Sequence, residues 1–169
     1  MNEIKIDMKN RHTGFTIIEL MMALMIGAIL ATMAVPSFID LIRSNRVTTQ
    51  TNDFISTLNY ARSEAVKRGT GIIVCSSNDQ ASCTASAWQD GWIVQQASDG
   101  ELLRASAALS GNSSLSNLDG NTSIQYTSRG LLNGNLATTF ELCIYAGKPG
   151  RQIAISATGR PRSTEYLGC

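Results

Sequence analysis

Two arginines flank a single proline in Gly159-Arg160-Pro161-Arg162, and no other stretch of the chain is better suited to chemistry by residue type and spacing. Guanidinium groups make planar, two-pronged contacts with phosphate and stack on flat rings. Glycine admits positive φ and proline fixes φ at about −65°, so the pair is expected on a short stiff loop beyond a strand ending near Ser156. Arg151 and Lys148 stand where the chain enters the same strand. A six-residue extended strand would hold them up to about 25 Å from Arg160, so whether they join one patch depends on how the sheet folds. The plain alternative is a solvated cationic face, or arginines paired with a partner's carboxylates.

The charge is unevenly distributed. The net value is only +1. Between Gly69 and Leu142, Arg104 and Arg129 face Asp79, Asp90, Asp99, Glu101, Asp119 and Glu141, a balance of −4. From Cys143 to Cys169, Lys148, Arg151, Arg160 and Arg162 face only Glu165, a balance of +3. The carboxylates Asp90, Asp99 and Glu101 fall in expected turns and do not read as a catalytic pair. No glycine loop of the phosphate-cradling kind is present.

A second chemical oddity lies at the other end of the chain. Lys5, Lys9 and Arg11 precede Gly14-Phe15-Thr16-Ile17-Ile18-Glu19, and an apolar run then continues to Val35. Phe15 to Val35 is 21 residues, enough to cross a hydrocarbon core of about 30 Å. One carboxylate in lipid costs at least about 2.5 kcal/mol, so Glu19 calls for a functional explanation. A secretory signal cut near Ala31-Thr32-Met33-Ala34, or a plain single-pass anchor, would account for the apolar run but not for Glu19. Met21, Met22, Met25 and Met33 fill the run as flexible packing residues. The whole pattern resembles the prepilin signature of type IV pilins and type II secretion pseudopilins. That resemblance implies cleavage after Gly14 by prepilin peptidase, methylation of the new terminus at Phe15, and a role for Glu19 in filament assembly. It also implies that residues 1–14 are a leader.

His12, the only histidine, would leave with that leader, which removes every triad or metal site that needs imidazole. The mature chain shows no nucleophile constellation and reads as a non-enzyme without a cofactor. An exported domain with four cysteines and no Cys-x-x-Cys pair reads as disulfide-bonded. We pair Cys75 with Cys83 and Cys143 with Cys169, while other connectivities stay open. The chain-entropy model gives these loops about 2.5 and 3.5 kcal/mol.

These residues need elements to position them. Beyond Pro36, where a kink is expected, Phe54, Leu58, Ala61 and Ala65 recur at helical spacing, with Arg62, Glu64 and Lys67 on the opposite face. A single helix is therefore expected from Phe15 to about Arg68, ended by Gly69 and Gly71. Strands are expected at Gly71–Cys75, Gly91–Gln96, Glu101–Ala105, Ser123–Tyr126, Thr139–Tyr145 and Gln152–Ser156, with a hairpin turn at Asp99-Gly100. Ser110–Asn121 reads as a mobile loop and Gly130–Gly134 as a turn. Trp88 and Trp92 read as core or sheet-face aromatics, while Tyr166 could stack on a ligand or cover a disulfide. The fold class is α+β: a long N-terminal helix packed on antiparallel sheets. The parts are a leader (1–14), an assembly helix (15–36), an amphipathic helix (37–68) and a β-rich head (69–169).

The head strengthens the resemblance. Cys75-Ser76-Ser77, Cys83, Trp88-Gln89-Asp90-Gly91-Trp92-Ile93-Val94 and Asp99-Gly100 are similar to the FimT/GspH family of minor pilins and pseudopilins. The closing segment from Cys143 through Gly159-Arg160-Pro161-Arg162 to Cys169 is closer to FimT. FimT proteins carry a Gly-Arg-x-Arg motif linked to extracellular DNA in natural transformation. The resemblance thus implies that Gly159, Arg160 and Arg162, with Arg151 and Lys148 as neighbours, bind double-stranded DNA on its phosphates without reading sequence. Its implied partners are DNA, other major and minor pilins, prepilin peptidase and, before assembly, the inner membrane. The implied setting is a Gram-negative cell, with the head periplasmic and then extracellular in the pilus. The rivals are a structural minor pilin that primes assembly and a type II secretion pseudopilin.

Overall fold

The computed structural model describes residues 14–144 and 147–169. Lys5, Lys9, Arg11 and His12, which the expected leader contains, lie outside the described residues. One helix, α1, covers Ile17–Arg68 and runs through Pro36. It starts two residues later than expected because Thr16 takes the N-cap: its Oγ1 accepts from the Glu19 backbone N–H at 3.3 Å. Glu19 therefore sits in the first turn, where the helix dipole favours a carboxylate.

The chain divides into two compact units between Leu41 and Ile42. In the first, every described residue is exposed, including the apolar side chains from Phe15 to Val35. That part of α1 is long and apolar enough to cross a membrane.

The second unit, from Ile42, holds the rest of α1 and eight strands. These are β1 Ile72–Ser76, β2 Trp92–Gln96, β3 Leu102–Ser106, β4 Ser114–Asn117, β5 Ser123–Tyr126, β6 Thr138–Cys143, β7 Gly150–Ile155 and β8 Pro161–Tyr166. They form two antiparallel four-stranded sheets, ordered β3-β2-β1-β5 and β4-β6-β7-β8. The buried helix positions Val47, Gln50, Thr51, Phe54, Thr57, Leu58, Ala61, Glu64 and Ala65 step by three, one and three, a single stripe at helical period. Its apolar members share one core with Val74, Trp92 and Tyr126 of the first sheet and Leu115, Phe140 and Ile153 of the second.

Phe54 is the centre of that core. Its ring meets Trp88, Trp92 and Phe140 edge-on at centroid distances of 5.8, 5.1 and 4.9 Å. Both tryptophans are core residues with satisfied nitrogens. Trp88 donates to the Asn121 carbonyl at 2.8 Å, and Trp92 donates to Thr57 Oγ1 at 3.3 Å.

Several expectations are corrected. Glu64 is buried rather than solvent-facing, because Arg68 Nε reaches its carboxylate at 2.7 Å and Arg68 also spans to Glu101 at 2.6 Å. The Ser110–Asn121 loop contains β4, which pairs with β6 and buries Leu115 opposite Leu142. The Gly130–Gly134 turn shifts: the turn closes between Thr127 and Gly130, and Leu132 already bridges to Tyr126. The strand expected to reach Tyr145 ends at Cys143, and its neighbour begins at Gly150 rather than Gln152. Pro161 and Arg162 lie in a strand, β8, and not in a loop. Proline fits there because it opens an edge strand, where its missing donor costs no ladder bond.

Candidate nucleic-acid interface

The Gly-Arg-Pro-Arg segment is the turn and first step of the β7–β8 hairpin. Ile155 pairs with Pro161, and the Ser156 N–H then donates to the Arg160 carbonyl at 3.2 Å. Inside the turn the Gly159 N–H donates to the Ser156 carbonyl at 2.8 Å, and the Arg160 N–H to Ser156 Oγ at 3.4 Å. Gly159 takes φ +75°, and a β-carbon there would run into the Gly130 carbonyl and lie 3.0 Å from Tyr126 and 3.3 Å from Arg62 Nε. Glycine is required on both counts. Arg160 is carried on the turn and is exposed. Arg162 is exposed too, opposite Ala154 on the face of the sheet away from the core.

The second turn, Thr127–Leu131, is fastened to the first. The Leu132 N–H donates to the Ala157 carbonyl at 3.1 Å, and Gly130 and Gly159 are in contact. Gly130 has φ +72° and presses on α1, where a β-carbon would lie 3.0 Å from Val66 and 3.4 Å from Arg62. Arg62 Nε donates to the Gly130 carbonyl at 2.9 Å. Arg129, exposed, precedes Gly130 on this turn. Two guanidinium groups that sequence spacing does not associate with the motif thus stand beside it.

Arg151 and Lys148 are placed elsewhere. Arg151 pairs with Leu142 and Glu165 on the core-facing side of the sheet. There it lines a narrow cleft of about 50 Å³ with Ser44, Val47 and Thr48 of α1. It is three strand positions from Ala154, about 10 Å, and on the other face from Arg162. Lys148 precedes β7 at that same far end. The hairpin register separates these two from the arginine pair.

Disulfides join Cys143 to Cys169 and Cys75 to Cys83. The first ties the chain end beside Gly150 at the base of the hairpin. Tyr166 is half-buried there. Its hydroxyl donates to Glu141, which raises its pKa, and its ring packs on Gly168. Tyr166 sits at the disulfide end of the hairpin, four strand positions from Arg162.

Charge compensation is uneven across the head. Glu64 holds Lys67 and Arg68, Glu101 holds Arg68, and Asp53 lies 3.5 Å from Arg104. Among the described residues, no carboxylate lies within ion-pair distance of Arg62, Arg129, Arg160 or Arg162. A cluster of guanidinium groups of this kind, three exposed and Arg62 half-buried, can hold a polyanion through charge-assisted hydrogen bonds.

The family model described as type II transport protein GspH matches residues 50–159. That of the prokaryotic N-terminal methylation motif matches residues 9–35. The first match includes Gly159 and stops short of Arg160 and Arg162. No curated protein matches the chain. Among solved structures, the type IV minor pilin FimU of Pseudomonas aeruginosa strain PAO1 is similar in two crystal forms. One aligns with TM-score 0.64 and 21% identity over 76% of this chain and 98% of that one. The other aligns with TM-score 0.60 and 23% identity over 72% and 98%. The minor pseudopilin EpsH of the Vibrio cholerae type 2 secretion system aligns with TM-score 0.48 and 14% identity over 72% and 97%.

Proposed function

The chain belongs to the GspH family of type II transport proteins, and from that premise we propose that it is a minor pilin of the FimT kind whose β7–β8 hairpin binds DNA. The N-terminal methylation motif marks it for prepilin peptidase and for assembly with other pilins through its apolar helix. In this reading the helix anchors the subunit in the inner membrane of a Gram-negative cell. Assembly then carries the head outside on the pilus. Glu19, at the capped start of α1, is the carboxylate that would meet a neighbouring subunit as the helix leaves the membrane.

The observation that supports DNA as the ligand is the exposed pair Arg160, on a turn braced from beneath by Gly159, and Arg162, at the start of β8, neither with a carboxylate partner among the described residues. Such groups bind phosphate oxygens and register no base sequence. A few phosphate contacts give dissociation constants of about 10⁻⁴ to 10⁻⁶ M at physiological salt. Several subunits on one pilus raise the effective affinity by avidity. Retraction of the pilus would then deliver the bound duplex to the cell surface.

A second reading, a structural minor subunit that primes a pilus or pseudopilus, has its own support. The family's description concerns type II transport, and FimU is described as a minor pilin. The two readings part in a strain carrying Arg160→Ala with Arg162→Ala. If the head binds DNA, pili persist while transformation and gel-shift binding by the purified full-length protein fall, and the salt dependence flattens. Unchanged binding by the folded double variant would leave only the structural role.

A further inference from the structure

An open hollow of about 540 Å³ lies between α1 and the Thr127–Leu131 turn, lined by Arg62, Ser63, Val66, Lys67 and Arg129. Its far wall is the turn that also supports Gly159, so it opens beside the arginine hairpin. We propose that this hollow is the second half of the polyanion site, and that a duplex backbone held by Arg160 and Arg162 continues over Arg129 onto Arg62.

The inference rests on the DNA-binding reading above and extends it to residues outside the Gly-Arg-Pro-Arg segment. Three observations carry it. First, the Gly130–Gly159 contact limits the separation of the Arg129 and Arg160 α-carbons to about 14 Å, by the fixed lengths of the intervening bonds. One DNA strand presents a phosphate about every 3.4 Å of axis, so the two groups lie within reach of at most about four successive phosphates. Second, Arg62 is anchored through Nε alone, by the Gly130 carbonyl at 2.9 Å. Its other donors have no acceptor among the described residues. A guanidinium fixed in this way loses little entropy when its remaining N–H groups meet an anion. Third, the groups in contact with the Arg62 Nε are uncharged. They are a peptide carbonyl and the buried ring of Tyr126. Lys67 is held by Glu64 at 3.4 Å, so the net positive charge of the hollow comes from Arg62 and Arg129.

The test uses full-length protein in detergent micelles and a fluorescein-labelled 20-base-pair duplex, read by anisotropy from 50 to 200 mM salt. Four arginine contacts predict a slope of about −3.6 in log K against log salt. Arg129→Gln, which disturbs no recorded contact, is expected to reduce that slope by about 0.9 and weaken binding about tenfold at 50 mM salt. Arg62→Lys keeps the charge but loses the anchored fork, and is expected to weaken binding with less change in slope. Arg151→Gln, on the opposite face of the sheet, is the charge-matched control and should match the wild type. If Arg129→Gln binds like the wild type while Arg160→Gln with Arg162→Gln binds weakly, the hollow is no part of the site and the hairpin reading stands. If the wild-type chain ignores the duplex at 50 mM salt, both fall.

Discussion

The α-carbon of Gly159 rests against the carbonyl oxygen of Gly130, with no room for a β-carbon between them. That carbonyl accepts from Arg62 Nε at 2.9 Å on its way. One peptide oxygen therefore fixes the relative positions of α1, the Thr127–Leu131 turn and the β7–β8 hairpin. The arginines project from parts that are mutually braced, so a polyanion bound there would leave little to order.

Gly159→Ala should break this brace. A β-carbon adds the cost of an L-residue at φ +75° to a collision with backbone, which cannot swing aside as a side chain would. We expect the head to lose about 2–3 kcal/mol, measured by denaturant unfolding. Tryptophan fluorescence is the suitable signal, because both tryptophans pack on Phe54 in the core. DNA binding should weaken although no charge is removed. An alanine variant as stable as the wild type would show that the two turns are not coupled.

Removing the Cys143–Cys169 bridge tests how the hairpin is held from its other end. β8 is an edge strand whose side chains are mostly exposed, so its pairing with β7 and the bridge at Cys169 are what hold it. Cys143→Ser with Cys169→Ser should cost about 2–4 kcal/mol. Amide exchange should accelerate first in β8, from Tyr166 toward Pro161. Uniform acceleration across both sheets would mean that the bridge stabilises the head globally and not this strand in particular.

Much of the head was legible in the sequence wherever a periodic apolar pattern meets a buried face. Phe54, Leu58, Ala61 and Ala65 keep the helical repeat and all are fully buried. β1 and β2 are dense in β-branched and aromatic residues and fall close to their expected positions. β4 and β8 escaped for the opposite reason. Ser114-Leu115-Ser116-Asn117 has one apolar residue, and Pro161 to Tyr166 has no apolar alternation. Both are edge strands defined by a partner's hydrogen bonds more than by their own composition. The nearness of Arg62 and Arg129 to the hairpin is not legible in the sequence because only topology unites them with it; Arg62 and Gly130 are 68 positions apart. The one signal at Arg129 is its place before a glycine in a turn. Glu64 was misplaced because a charged side chain on a helix reads as exposed until its two cationic partners are seen.

The head should lose stability in acid through two identified carboxylates. Asp79 accepts from the hydroxyls of Ser82 and Ser77 and from the backbone N–H groups of Ala81 and Ser82, which hold its pKa far below the usual carboxylate range. Glu64 is lowered chiefly by its hydrogen bond from Arg68, against the opposing effect of burial. In both cases the folded value lies below the unfolded one, so the unfolded chain binds the extra proton first. Their stabilisation is complete above the ordinary carboxylate range, about pH 4, and is lost as pH falls through each folded value. Unfolding followed by tryptophan fluorescence from pH 7 to pH 2.5 should show a plateau down to about pH 5 and a decline below it. Asp79→Asn and Glu64→Gln should each be less stable at neutral pH. Each should also reduce the proton uptake on acid unfolding by about one in the region where that carboxylate titrates. An undiminished acid slope in Asp79→Asn would mean that the hydrogen bonds of the Cys75–Cys83 loop do not contribute to folding.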